Sequence, residues 1–209
     1  MAPALLGTVP VDTLATAPTR DSGTTRPRPL RLAVVIGSTR AGRRGPGIAR
    51  WFAERAGAHE GTEVEVVDLA DHPLPAVLAD SGTSDPAVTA LGARLAAADA
   101  FVIVTPEYNH SFPAPLKHAI DWYGSEWHAK PIAFVSYGGR GGGLRAVEQL
   151  RQVFAELHAV TVRETVSLHG PSEMAPGPGG DAAATAMLDR LVWWADALRA
   201  ARAHRPFTS

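Results

Sequence analysis

The chain has 209 residues, 20 basic and 21 acidic side chains, a net charge of −1 and no cysteine. So even a balance argues against a nucleic-acid or anionic-membrane surface and points to small-molecule partners, while the missing thiols exclude disulfides, thiolate metal centres, iron–sulfur clusters and cysteine nucleophiles. No stretch approaches the roughly 18 uninterrupted apolar residues of a membrane span, and the N-terminus has no basic start followed by an apolar core, so the expected location is the cytoplasm.

Residues 1–29 are rich in Pro, Thr and Ala and lack a periodic apolar pattern. They read as a disordered tail ahead of one domain over residues 30–205. Leu30 to Ile36 is strongly apolar, the signature of a central parallel strand buried on both faces. The loop Gly37 to Gly45 follows, and Pro46 then opens a helix in which Ile48, Ala49, Trp51, Phe52 and Ala56 keep helical spacing. A loop between a buried strand and a helix N-terminus favours an anion, because free backbone N–H groups and the helix dipole meet there. This one adds the hydroxyls of Ser38 and Thr39 and the guanidiniums of Arg40, Arg43 and Arg44, and arginine matches a phosphate in planar, two-pronged geometry.

Val64 to Leu69 reads as a second strand, and Asp71-His72-Pro73-Leu74-Pro75 forces an extended loop behind it. Residues 80–86 read as a further loop. A helix from about Pro86 to Ala98 leads to the third strand, Ala100 to Val104. Directly beyond it, Pro106, Glu107, Tyr108, Asn109 and His110 bring an aromatic ring, a carboxylate, an amide and an imidazole to a strand end, where open α/β sheets bind ligands; a flat molecule suits such a wall. Phe112, Leu116, Ile120 and Trp122 instead have the spacing of one buried face of the helix that follows.

Pro131 to Ser136 reads as the fourth strand. The loop Ser136-Tyr137-Gly138-Gly139-Arg140-Gly141-Gly142-Gly143 emerges from it on the same sheet edge as the other two, with glycines that let backbone approach a ligand closely. A helix over Gly143 to His158 carries Leu144, Val147, Leu150, Val153, Phe154 and Leu157 on its core stripe. Ala159 to Leu168 is the fifth strand, Gly170 to Gly180 a long irregular excursion, and Asp181 to Ala203 the closing helix, on which one of Trp193 and Trp194 is expected in the core and the other at an interface. Five alternations of strand and helix predict an α/β fold with a parallel sheet and helices on both faces.

Several rival chemistries fail on the letters. Gly37 and Gly42 have Walker A spacing, but Arg43 and Arg44 replace the lysine and hydroxyl that the motif needs, and no Gly-x-Gly-x-x-Gly opens the first helix. Glu107 and His110 have metal-ligand spacing, yet only one such pair exists and it lies on a loop, so no metal is expected. Phe134 occupies the first glycine position of a nucleophile elbow around Ser136.

The run from Thr105 to Trp122 resembles the PEYNxSxPxxLKNAIDW stretch of the NADPH-dependent FMN reductase family, which includes quinone, azo-dye and chromate reductases. Residues 30 to about 165 carry the resemblance. It implies a flavodoxin-like three-layer sandwich with a five-stranded parallel sheet of order 2-1-3-4-5. It also implies FMN as cofactor, NADPH or NADH as co-substrate, a small-molecule electron acceptor, and a homodimer or homotetramer. The family's GSxRxxR phosphate site maps onto Ser38, Arg40 and Arg43, with Thr39 beside them. Pro106, Glu107, Tyr108 and Asn109 would support the ring from one side and Ser136, Tyr137, Gly138 and Gly139 from the other. The flavin carries the chemistry, and His110 and Tyr137 are the candidates for touching the acceptor. Two other readings stay open on the sequence: an electron carrier without turnover, and a flavin enzyme dedicated to one biosynthetic pathway.

Overall fold

A computed structural model describes residues 28–79, 85–170 and 177–208. Five strands, β1 (Leu30–Ile36), β2 (Thr62–Asp68), β3 (Ala100–Pro106), β4 (Pro131–Gly138) and β5 (Val160–His169), pair in parallel in the order β2-β1-β3-β4-β5. The helices are α1 (Gly45–Ala58), α2 (Pro86–Ala97), α3 (Ala114–Trp122), α4 (Leu144–Glu156) and α5 (Pro178–His204). This is the expected flavodoxin-like topology. β1 and β3 are almost continuously buried, as strands covered on both faces must be. The expected second strand ends one residue early, because Asp68 caps a short 3-10 turn over Leu69–Asp71, its side chain accepting from the Ala70 N–H.

The sheet separates two cores. One packs α1 and α5, through Ile48, Phe52, Met187 and Leu191, against Leu32, Val34, Val102 and Val135. The other packs α2, α3 and α4, through Leu91, Leu116, Ile120, Leu150 and Phe154, against Val35, Phe101, Ile103 and Phe134. Burying one such Leu, Ile or Phe side chain contributes about 1.5–3 kcal/mol. Two expectations about packing fail. Leu144 is 46% exposed, since it opens α4 beyond the sheet's cover, and Trp193 and Trp194 are 61% and 37% exposed on α5, packing edge-on against each other instead of one entering the core.

At the end of the sheet opposite the strand C-termini, Asp99 is buried and receives the Arg28 guanidinium on both carboxylate oxygens (2.7 and 3.0 Å) and the Arg31 N–H at 3.0 Å. Arg199 and Arg202 of α5 stand 3.9 and 3.6 Å away. Burial pushes the Asp99 carboxyl up, but the Arg28 and Arg31 hydrogen bonds and the surrounding guanidiniums hold it below its ordinary value. Arg28, assigned to the tail on sequence, is thus bound to the domain. The rest of that segment, residues 1–27, lies outside the described residues, as do 80–84 and 171–176 in the two expected loops.

The two edge strands are each met by an arginine. Arg94 of α2 donates to the Val66 carbonyl of β2 at 2.9 Å, and Arg151 of α4 donates to the Val162 and Arg163 carbonyls of β5 at 2.7 and 3.1 Å.

Candidate functional site

The loops after β1, β3 and β4 meet at the C-terminal edge of the sheet around a cleft of about 330 Å³, lined by Arg40, Gly42, Arg43, Arg44, Pro106, Glu107, Tyr108, Tyr137, Gly138, Gly139 and Gly170. A larger hollow of about 860 Å³ runs between α1 and the edge strand β2. Its rim mixes Arg50, Glu54, Asp71, His72 and Arg94, with a single glycine, Gly57 of α1, and no Tyr, Trp or Phe ring. The smaller cleft is where position in the fold and chemistry coincide.

The three arginines of the first loop play different parts. Arg43 is spoken for: it donates to Asp68 at 2.6 Å and to the Ser38 carbonyl at 2.9 Å. Arg44 donates to the Gly170 carbonyl at 3.1 Å, which ties the loop to the end of β5. Arg40 lies over the Tyr108 ring, 5.3 Å from its centroid. Among the described residues neither Arg40 nor Arg44 pairs with a carboxylate, so positive charge is left uncompensated at this end of the cleft. Both were among the loop's expected anion ligands. Thr39 points elsewhere, into a small hollow with Leu69, Pro73 and His118.

The hydroxyl expected to hold an anion is under the loop, not in the cleft. Ser38 is fully buried; its Oγ receives the Tyr137 phenol at 3.1 Å, and the same phenol oxygen packs close to Gly45, where a Cβ would stand 3.3 Å from it. In the first turn of α1, Pro46 lacks an N–H, and the Gly47 and Ile48 N–H groups both bond the Arg44 carbonyl. At the expected helix N-terminal anion seat the Tyr137 hydroxyl packs beside the Gly45 N–H, and the guanidiniums of the loop supply the positive charge. Tyr137 is correspondingly only 9% exposed, which does not suit the acceptor contact expected of it. Burial pushes its phenol pKa up, so it stays a neutral donor.

The loop after β3 is a tight turn. Tyr108 and Ser111 exchange N–H···O bonds of 2.8 and 3.0 Å, and Asn109 and His110 at its tip have φ of 50° and 66°. Asn tolerates that left-handed region better than most side chains. Ser111 donates to Gln149 and Gln149 donates back to the His110 carbonyl, so the tip is strapped to α4. Pro106 and Tyr108 face the cleft. Asn109 and His110 are exposed at the tip and do not line it, so the amide's part is to make the turn.

Glu107, which lines the cleft, and the buried Ser136 also brace the glycine loop. The Glu107 carboxylate pairs with Arg145 at 2.7 Å and accepts the Arg145 N–H, which also caps α4. Ser136 and Ser167 both donate to the Gly142 carbonyl at 2.8 Å. Gly143 has φ of 87°, and a Cβ there would stand 2.5 Å from the Ser136 Cβ, so only glycine closes this turn. Gly138 and Gly139 are left presenting bare backbone to the cleft. Gly170, which sequence reasoning passed over, completes the wall by donating its N–H to the Gly138 and Gly139 carbonyls; its signal was that β5 ends on the same edge. Among the described residues no three His, Asp or Glu side chains gather as a metal site.

The model of a family described as NADPH-dependent FMN reductase matches residues 30–173. An NAD(P)H-dependent FMN reductase of Schizosaccharomyces pombe is 40% identical over 131 residues, which span 59% of this chain and 64% of that protein. A probable NADPH:quinone oxidoreductase of Oryza sativa subsp. japonica is 38% identical over 160 residues, 71% of this chain and 77% of the relative. Among solved structures, a flavoenzyme NAD(P)H:(acceptor) oxidoreductase from Paracoccus denitrificans superposes with a TM-score of 0.62 at 26% identity, covering 81% of this chain and 97% of that one.

Proposed function

This chain belongs to the NADPH-dependent FMN reductase family, and from that premise we propose that the strand-end cleft holds FMN with its phosphate beside Arg40 and Arg44 and its ring along Pro106, Tyr108, Gly138 and Gly139. The reaction is the oxidation of NAD(P)H with FMN as the electron carrier, and the acceptor is a quinone, a flavin, an azo compound or a similar small molecule. Bound FMN supplies the chemistry by taking a hydride from the nicotinamide and passing two electrons on.

The residues present fit that group. Uncompensated guanidinium charge at one end of the cleft suits a phosphate, and an aromatic face and exposed glycine backbone at the other suit a planar ring. The protein's part is to bind and orient: the Glu107–Arg145 pair and the Ser136 and Ser167 hydroxyls hold the glycine loop in place, and the Tyr108–Ser111 turn fixes the opposite wall. No protein side chain is required as acid or base. One crevice serving donor and acceptor in turn predicts ping-pong kinetics. The exposed Val77 (80%) and Leu78 (48%) in the loop after β2 support a homodimer, though α2 and α3 also offer surface for it. The lack of cysteine supports a cytoplasmic location.

The single observation that carries this reading is the convergence of unpaired arginine charge, an aromatic face and a glycine loop at one sheet edge. Titration of the apoprotein with FMN, FAD and riboflavin, followed by initial rates of NAD(P)H oxidation at several fixed quinone concentrations, tests it. Tighter binding of FMN than riboflavin and parallel double-reciprocal lines are expected. Equal affinities would remove the phosphate site, intersecting lines would require a second pocket, and flavin binding without turnover would leave an electron carrier.

A further inference from the structure

The Tyr137 phenol belongs to a chain of contacts that the phosphate reading does not by itself explain. It starts at Asp68 at the end of β2 and runs through the Arg43 guanidinium (2.6 Å) to the Ser38 carbonyl (2.9 Å), then from the Ser38 Oγ to Tyr137 (3.1 Å), whose hydroxyl packs against Gly45. Tyr137 is thus the point at which the middle of the sheet, through β4, meets both ends of the first loop, bonding Ser38 where it leaves β1 and packing against Gly45 where it enters α1. Arg44 at the N-cap provides no side-chain cap, and the phenol hydroxyl packs against the helix's first residue. Gly45 makes room for this: a Cβ there would stand 2.7 Å from the Ser38 Oγ and 3.3 Å from the Tyr137 hydroxyl.

We propose that Tyr137 is a positioning residue for the phosphate-binding loop, its hydroxyl bonding Ser38 and packing against Gly45 so that Arg40 and Arg44 are presented to the flavin's phosphate. The assignment rests on the reading of the cleft as an FMN site. It separates from that reading because it concerns only the part of the affinity that the phosphate contributes. Ser38 is buried beneath the loop, and the loop's shape is what the phenol holds.

The test is the ratio of riboflavin to FMN dissociation constants, measured by flavin fluorescence on the apo full-length chain for the wild type and Tyr137→Phe. Loss of one well-placed neutral hydrogen bond predicts that FMN binds about 10-fold more weakly while riboflavin changes less than about 2-fold. Ser38→Ala, which cuts the same contact from the other side, should lower the ratio in the same direction and covers the case in which the phenylalanine variant does not fold. If either folded variant weakens both ligands equally, or only lowers the apoprotein's melting temperature, Tyr137 is a structural residue and the proposal falls. If the wild type itself fails to prefer FMN over riboflavin, the phosphate reading fails first and takes this assignment with it.

Discussion

Arg40 and Tyr108 come from loops 68 positions apart in the chain, yet the guanidinium of one lies 5.3 Å from the ring centre of the other. The contact joins the charged end of the cleft to its aromatic wall. A guanidinium held over an aromatic face keeps its edge N–H groups free to donate, so the stack orients Arg40 without consuming its hydrogen-bonding capacity.

Arg40→Ala should weaken FMN binding about 10- to 100-fold, the range of one charge-assisted hydrogen bond of roughly 1.5–3 kcal/mol. Riboflavin affinity should change far less. Titration at moderate salt checks this, and an unchanged FMN affinity would move the phosphate role to Arg44.

Glu107→Ala should loosen the glycine loop, because it removes both the Arg145 ion pair and the acceptor for the Arg145 N–H in the first turn of α4. Arg145 is half exposed, so solvent screening keeps the expected loss of stability to about 1 kcal/mol. Trypsin should cut after Arg140 sooner in the variant than in the wild type. Equal cleavage rates and equal urea midpoints would show that the serine contacts to Gly142 suffice.

Truncations that stop on either side of Arg28 should differ. Removing residues 2–27 leaves the Asp99 pair intact, whereas removing 2–28 strips the guanidinium that bonds both carboxylate oxygens. Arg199, Arg202 and the Arg31 N–H remain nearby, so the additional cost is about 1–2 kcal/mol rather than that of a bare buried charge. Asp99 is held ionised in the fold, so this contribution is present above the ordinary carboxylate range and fades as pH falls through the folded-state pKa. Denaturant midpoints of the two truncations at neutral pH make the comparison, and identical values would contradict it.

Lys130 should leave a signature at alkaline pH. Burial pushes its ammonium from 10.5 down to about 8, although it donates to the Leu95 and Ala96 carbonyls at the end of α2. Between those two values the unfolded chain holds more protons than the folded one, so this residue's contribution to stability rises with pH across the window. The difference in unfolding free energy between the wild type and Lys130→Met should therefore grow in favour of the wild type from about pH 8 upward. A flat difference would mean that Lys130 titrates as a free lysine.

Much of the fold was legible because each strand is a short apolar run between turn signals, and Leu30–Ile36 and Ala100–Pro106 are buried as such runs should be. Strand order was not; local pattern carries no information about which strands pair, and it came from the family resemblance. At the site, the loops were legible but the jobs of their side chains were not. Ser38, Glu107 and Ser136 are polar residues in the right loops, yet their partners are Tyr137, Arg145 and Gly142, contacts that only the folded chain creates. The uncapped α1 N-terminus promises free N–H groups on sequence, yet Gly47 and Ile48 both bond the Arg44 carbonyl, and a phenol 92 positions further along the chain packs against Gly45.

Arg94 and Arg151 bear on what this sheet can become. A parallel sheet with open flanks is a template on which another chain can lay a further strand. Here each flank has outward carbonyls already bonded to a hydrated, charged group that an incoming backbone would have to displace, and β2 adds Glu63 and Glu65 along the same border. Copies of this protein are thereby steered away from fusing edge to edge into one continuous ribbon, and association is directed to helix and loop surfaces.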